Sequence, residues 1–245
     1  MTDAGSSPPL ALITGASRGL GATLAGLLAA EGWNLILTAR GIDGLATVVT
    51  TLARYETTIC ALAGDVTDPA HRGTLRRVVE EMGGLDLLVN NASELGTSPL
   101  PSLIDYPLED LETVYRTNVV APLGLIQAFR FSLQQKRGLV VNISSDAAIA
   151  GYPGWGGYGA SKAALDLVSL TLAHELKDHG IAVVSVDPGD LRTGMHQAAF
   201  PGQDISDRPL PDVTLPFWAW LLHQPKESVS GQRFRAQGER WEIPA

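Results

Sequence analysis

Short apolar runs recur along this 245-residue chain, and an amphipathic stretch separates each from the next. Residues 10–13, 34–39, 59–63, 85–89, 139–143 and 181–186 read as strands, and 232–236 as a final one. Helical patterns fill the intervals: 20–31, 44–55, 68–82, 108–135 (one helix or two), and a helix through Tyr158 to His179. Successive positions in the strands are apolar, so both faces of each are expected to be covered. Such alternation predicts an α/β fold, a doubly wound parallel sheet of about seven strands with helices on both faces. Punctuation agrees with it. Gly32 follows the first helix, and Asp68-Pro69 opens the third as a cap with proline in the first turn.

Residues 194–216 break the pattern. They carry Pro201, Pro209, Pro211 and Pro216, and read as a long ordered loop or a short helical excursion. Segments of this kind often form lids or binding loops. Next comes an aromatic-rich helical patch, Phe217-Trp218-Ala219-Trp220-Leu221-Leu222, expected in the core or at a subunit interface. Residues 1–9 read as a short disordered lead, and 10–245 as a single domain.

Composition excludes several classes. The net charge of −8 gives no basic footprint for nucleic acid. Any anionic ligand must be held by local groups. No apolar run reaches membrane-spanning length, so no membrane partner is expected. Cys60 is the one cysteine and sits in an apolar run, which suits a structural thiol in a reducing, cytoplasmic setting. The five histidines are scattered, and no metal site is expected.

The first strand runs straight into Thr14-Gly15-Ala16-Ser17-Arg18-Gly19-Leu20-Gly21 and then a helix. Glycines here allow a tight turn and close approach of backbone to phosphate, beside free N–H groups at a helix N-terminus. In an alternating α/β chain this marks a dinucleotide site, with Gly15, Ser17, Arg18, Gly19, Leu20 and Gly21 as contacts. An acid at the end of the second strand would bind the ribose 2′-hydroxyl of NAD. This chain has Ala39-Arg40 instead. Arginine's planar fork suits a 2′-phosphate, and Arg18 is placed to assist, so NADP(H) is preferred over NAD(H).

Tyr158 and Lys162 stand four apart at the start of a helix and share one face of it. Two unit charges about 4 Å apart interact by roughly 4 kcal/mol at an effective dielectric of about 20. A lysine so placed would lower a tyrosine pKa by roughly three units, into the range of proton exchange with an alcohol or ketone.

With these features in order, the chain resembles the short-chain dehydrogenase/reductase family. The resemblance rests on Thr14-Gly-x-x-x-Gly19-x-Gly21, Asp65-Val66, Asn90-Asn91-Ala92, Asn118, Ser145, Tyr158-x-x-x-Lys162 and Pro188-Gly189, and extends from Leu10 to about Arg235. It implies a Rossmann-type fold and an NADP(H)-dependent oxidoreductase interconverting a ketone or aldehyde and an alcohol. Tyr158 is then the general acid/base, and Lys162 lowers its pKa and binds the nicotinamide ribose. Ser145 binds the substrate oxygen, with Ser144 as runner-up, and Asn118 holds a water that links Lys162 to solvent. Asp65 and Val66 contact adenine, Asn91 and Ala92 flank the cofactor, and Pro188, Gly189 and Thr193 adjoin the nicotinamide. A homotetramer or homodimer is implied as well. The alternative is a dinucleotide-binding regulator or redox sensor without turnover, which would be expected to lose the tyrosine or the lysine.

Two departures stand out. Ser93 occupies a position where the family commonly has glycine. Asp190 and Arg192 replace apolar or neutral residues and are read as a local ion pair, with contact to a polar substrate group as the alternative. Trp155, Leu191, Met195, His196 and Phe200 are the candidate substrate wall, which points to an apolar or aromatic ketone or its alcohol.

Overall fold

The computed structural model describes residues 7–243, so most of the expected N-terminal lead lies outside the described residues. Seven strands form one sheet: β1 (Leu10–Thr14), β2 (Asn34–Ala39), β3 (Ile59–Ala63), β4 (Leu87–Asn90), β5 (Leu139–Ile143), β6 (Ala182–Asp187) and β7 (Arg233–Arg235). Their order is β3-β2-β1-β4-β5-β6-β7, and every pairing is parallel. The chain therefore winds outward from β1 in one direction and then, from β4, in the other. Crevices for ligands open where the winding reverses, beyond the carboxyl ends of the strands.

Alternate residues of a strand point to opposite faces, and β1 supplies both cores. Ala11 and Ile13 join one cluster with α1 (Gly19–Ala30), α2 (Ile42–Leu52) and Phe217, Trp218 and Leu221 of a late helix. Leu10 and Leu12 join the other, with α3 (Pro69–Glu81) and the helices that carry Phe129 and Leu172. This is why the strands read as continuous apolar runs. Asp68 caps α3 by accepting from Ala70 N at 2.8 Å, with Pro69 in the first turn.

The expected helix over 108–135 is α4 (Leu108–Tyr115) and α5 (Ala121–Lys136), joined by a π-helical turn at Arg116–Val120. A π turn inserts one extra residue without ending the helix, which hydrophobic spacing alone does not reveal. Helix α6 (Gly156–Glu175) carries Tyr158 and stops short of His179, where a separate short turn, Lys177–His179, ends at Gly180. The irregular segment holds a short helix, α7 (Gly194–Ala199), and a turn at Pro211–Thr214. Helices α8 (Leu215–Leu222) and α9 (Lys226–Val229) lead to β7. The aromatic patch on α8 packs inward: Phe217 meets Trp218, Trp220, Phe234 and Trp241 with ring centres 5.2–5.9 Å apart. Among the described residues no helix is long and apolar enough to cross a membrane.

Candidate active site

A cleft of about 750 Å³ runs along the carboxyl ends of β1 to β6. Its first wall is the glycine turn. Gly15 and Gly19 lie at φ +64° and +56°, where glycine alone is unstrained. A Cβ on Gly21 would stand 2.5 Å from the Gly15 carbonyl oxygen, so the helix can begin this close to the strand only with hydrogen there. Asn91 braces the turn from behind, with Nδ2 donating to the carbonyls of Thr14 (2.8 Å) and Gly15 (3.2 Å). Helix α1 starts without a side-chain cap and without an acid in its first turn. Its first amides thus remain available to an anion, favoured by the helix dipole.

Arg18, on the turn itself, and Arg40, just past β2, both border the cleft, the Arg18 guanidinium lying beside Gly194. Arg40 is 70% exposed and holds Glu94 loosely, Nη1 to Oε2 at 3.4 Å. An exposed pair of this kind contributes little, so the guanidinium is free to turn to a phosphate. Asp65 and Val66, just past β3, complete this end. These residues fit a phosphorylated dinucleotide: free amides, two arginines, and no carboxylate where a 2′-hydroxyl would need one.

The opposite end is built on α6. Tyr158 and Lys162 lie on its buried face, 9% and 1% exposed. Lys162 Nζ donates to the Ile143 carbonyl at 2.8 Å and lies 5.4 Å from the centre of the Tyr158 ring. The expected acidification of the phenol is not what this geometry gives. Burial raises the Tyr158 pKa above its ordinary value; the neighbouring Ser93 and Ser145 hydroxyls oppose the rise, and Asp187 and Asp146 add to it. Burial also pulls Lys162 down to about 8, against the carboxylate of Asp166. The packing that brings the pair together removes water from both, and desolvation disfavours each charge.

Ser145 follows β5. Its Oγ accepts from Ala147 N at 3.2 Å and donates to Asp146 Oδ1 at 3.1 Å. Ser144 also borders the cleft, with its Oγ enclosed and without a hydrogen-bond partner among the described residues. Asn118, in the π turn, stands behind the wall rather than in it. Its Oδ1 accepts from Glu94 N (2.7 Å) and Ser93 Oγ (3.1 Å), while Nδ2 donates to Glu94 O and Ser161 Oγ, both at 2.9 Å. A carboxamide has four such positions, and all are filled. Asn118 therefore ties the loop after β4 to α6.

The candidate substrate residues come together beside the phenol. Trp155 meets Tyr158 edge-on at 5.8 Å and Phe200 at 6.0 Å, and Phe200 lies 5.1 Å from His196. Met195 and Leu191 line the same space, and Thr193 caps α7 by accepting from His196 N at 3.3 Å. Asp190 does not pair with Arg192. It lies 3.4 Å from Arg208 Nε and 4.0 Å from His196 Nδ1, because the loop through Pro209 folds back and accepts the Arg192 N–H at 2.7 Å. Every candidate cofactor and substrate residue borders the cleft except Gly21, which sits beneath the turn. Among the described residues no group of three His, Cys, Asp or Glu side chains forms a metal site.

Four further residues belong to this neighbourhood. Ser93 and Asp146 border the cleft beside Ser145 and Tyr158. Asp187 ends β6, is 2% exposed, and accepts from Gly189 N at 2.9 Å. Arg233 of β7 donates to Ser145 O (2.7 Å) and Asp166 Oδ2 (2.9 Å), and approaches Asp187 at 3.6 Å. In sequence the only signal among them is Ser93, a polar residue after Asn90-Asn91-Ala92. The partners of Arg233 are 67 and 88 residues away, a pairing that local patterns do not encode.

A family model described as short chain dehydrogenase matches residues 9–204. A serine 3-dehydrogenase of Agrobacterium fabrum is 33% identical over 226 residues, 88% of each chain. A 3-oxoacyl-[acyl-carrier-protein] reductase of Vibrio cholerae is 30% identical over 232 residues, 94% of this chain and 90% of that one. Among solved structures, a short chain dehydrogenase from Shigella flexneri complexed with NADP superposes with a TM-score of 0.87 at 27% identity, covering 94% of this chain and 97% of that one. With its sheet order, its glycine turn and its matched sequence, this chain belongs to the short-chain dehydrogenase family of nicotinamide-dependent oxidoreductases.

Proposed function

We propose that the protein is an NADP(H)-dependent carbonyl reductase or alcohol dehydrogenase that interconverts a ketone or aldehyde and the corresponding alcohol. One observation carries the reading. A single cleft joins an uncapped glycine turn, Arg18 and Arg40 to Tyr158, Ser145 and buried Lys162. The names of the relatives span an amino acid and an acyl-carrier-protein substrate, so membership in the family leaves the substrate open.

The glycine turn, Arg18 and Arg40 would hold the phosphates, Asp65 and Val66 the adenine. Asn91, Ala92, Pro188, Gly189 and Thr193 would flank the nicotinamide, which supplies hydride transfer when bound. Tyr158 Oη then handles the proton of the substrate oxygen. Its raised pKa keeps the phenol protonated at neutral pH, the form that reduction of a ketone needs. Lys162, still largely cationic at pH 7 with a pKa of about 8, stabilises the phenolate as the proton leaves. Ser145 binds the same substrate oxygen. Asn118 is a positioning residue, since its filled amide leaves only its main-chain carbonyl to hold a water. Residues 194–216 form the substrate loop, and Trp155, Leu191, Met195, His196 and Phe200 face the substrate.

A panel of aromatic and aliphatic ketones with NADPH and NADH tests this. The expected result is reduction with NADPH preferred. Arg40→Asp should move the preference towards NADH by about tenfold or more. Failure to reduce any ketone with either cofactor overturns the proposal.

A further inference from the structure

Three carboxylates border the substrate end of the cleft. Asp187 is matched by Arg233 at 3.6 Å and Asp190 by Arg208 at 3.4 Å. Asp146 pairs with no cation among the described residues. Its partners are hydroxyls: Ser145 Oγ donates to Oδ1 and Tyr152 Oη donates to Oδ2, each at 3.1 Å.

This has a consequence for Ser145. A hydroxyl has one proton and two lone pairs. The proton lies on Asp146, and Ala147 N–H takes one lone pair at 3.2 Å. The remaining lone pair can accept from an alcohol. Ser145 can donate to a ketone oxygen only if its proton leaves Asp146. A cationic donor on the substrate, beside the reacting carbon, bonds Asp146 more strongly than a neutral hydroxyl does, offsets its charge, and so frees the Ser145 proton to turn to the substrate oxygen. An alkyl group at the same place does not. A carboxylate there would meet Asp146 as a like charge, unpaired in a partly desolvated cleft.

Resting on the oxidoreductase reading above, we propose that Asp146 sets the substrate class: alcohols or ketones that bear a protonated amine on the carbon next to the reacting one. The ammonium sits on Asp146 while the neighbouring oxygen sits on Ser145 and Tyr158. In a folded amino alcohol the two heteroatoms lie about a hydrogen-bond length apart, which matches the 3.1 Å between Ser145 Oγ and Asp146 Oδ1. Trp155, Met195 and Phe200 offer the remaining substituent an apolar, aromatic wall. The charge on Asp146 also holds the Tyr158 pKa up, so an ammonium that neutralises it eases proton transfer at the phenol.

Three alcohols of similar shape separate the possibilities: β-phenylethanolamine, α-ethylbenzyl alcohol and mandelate, each oxidised with NADP+. Tyr158 first releases its own proton to solvent; the carbinol carbon then gives its hydride to NADP+ and the hydroxyl its proton to the Tyr158 phenolate, leaving ketone and NADPH. Wild-type kcat/KM should favour the amine over the neutral alcohol by about tenfold or more, with mandelate last. In Asp146→Asn, an isosteric change at a half-buried site, that ratio should fall to about one, mainly through KM for the amine. Calorimetric titration into the NADP+ complex of Tyr158→Phe, which lacks the proton-transfer group, should rank the three in the same order. Equal use of the amine and the neutral alcohol, a lead for mandelate, or a preference that survives Asp146→Asn overturns the proposal. So does oxidation of none of the three by a protein that reduces other ketones. A protein that turns over no alcohol or ketone at all fails the broader reading, and the inference with it.

Discussion

At the scale of single residues, the buried lysine is the sharpest departure from expectation. Spacing along α6 announces Tyr158 and Lys162 as a pair. It does not announce that both are sealed from water. A lysine whose folded pKa lies near 8, against 10.5 in the unfolded chain, makes the unfolded state bind more protons between those values. Stability from this group therefore rises as pH rises from about 8 towards 10.5 and is lowest, and flat, below about 8. Replacing the lysine by methionine removes the cost of burying the charge, worth about 3 kcal/mol at pH 7, and sacrifices the bond to the Ile143 carbonyl. Lys162→Met should thus abolish turnover while melting no lower than wild type at pH 7. Its melting temperature should also lack the wild-type increment between pH 8 and 10. Thermal melts of both proteins across that range check this. A variant that melts well below wild type at pH 7 would mean that the charge stabilises the fold.

At the scale of elements, the site is a junction of segments held by side chains that sequence does not connect. The glycine turn, Ser145 and the Tyr-Lys helix were legible because each is a local motif with fixed spacing. Arg233 was not, since its meaning comes from three partners on different elements: the end of β5, α6 one turn past Lys162, and the end of β6. A buried chain behind it had no local signal either. Asn90 Nδ2 donates to Asn142 Oδ1, Asn142 Nδ2 to Ser169 Oγ, and Ser169 Oγ to the Leu165 carbonyl, each at 2.7 Å. These bonds tie β4, β5 and α6 together. Arg233→Met should destabilise the protein by about 3 kcal/mol by leaving the buried Asp187 carboxylate unpaired. It should also shift the pH profile of ketone reduction. The falling alkaline limb belongs to Lys162, whose pKa of about 8 is held up by Asp166; removing the Arg233 charge from Asp166 moves that limb to higher pH. Asp166→Asn should move it lower, and the double variant should lie between. Profiles of all three that coincide with wild type would reduce Arg233 to a purely structural tie.

At the scale of the whole molecule, the strand number and the doubly wound parallel sheet follow from the alternation of apolar runs, while the sheet order, with its reversal between β1 and β4, is seen only in the structure. The π turn and the fold-back of the loop through Pro209 were beyond reach, because both depend on packing between distant segments. One surface carries a further expectation. Phe131 on α5 is 72% exposed, and Leu167 and Leu170 on α6 are 66% and 43% exposed. The two helices cover the same face of the sheet, and exposed apolar side chains of this kind suit an association surface; we propose that they join a homodimer or homotetramer. Light scattering should give two or four copies for wild type and a monomer for Phe131→Glu with Leu167→Glu. A monomeric wild type would contradict it.

We infer that Tyr158 passes a proton to the substrate oxygen during nicotinamide-dependent turnover. The kcat of Tyr158→Phe for reduction of any accepted ketone, with NADPH affinity measured on the same sample, tests this step alone. The mechanism predicts a loss of about a hundredfold to ten-thousandfold in kcat, with an NADPH Kd within about twofold of wild type. A variant that binds NADPH and keeps wild-type kcat would contradict it.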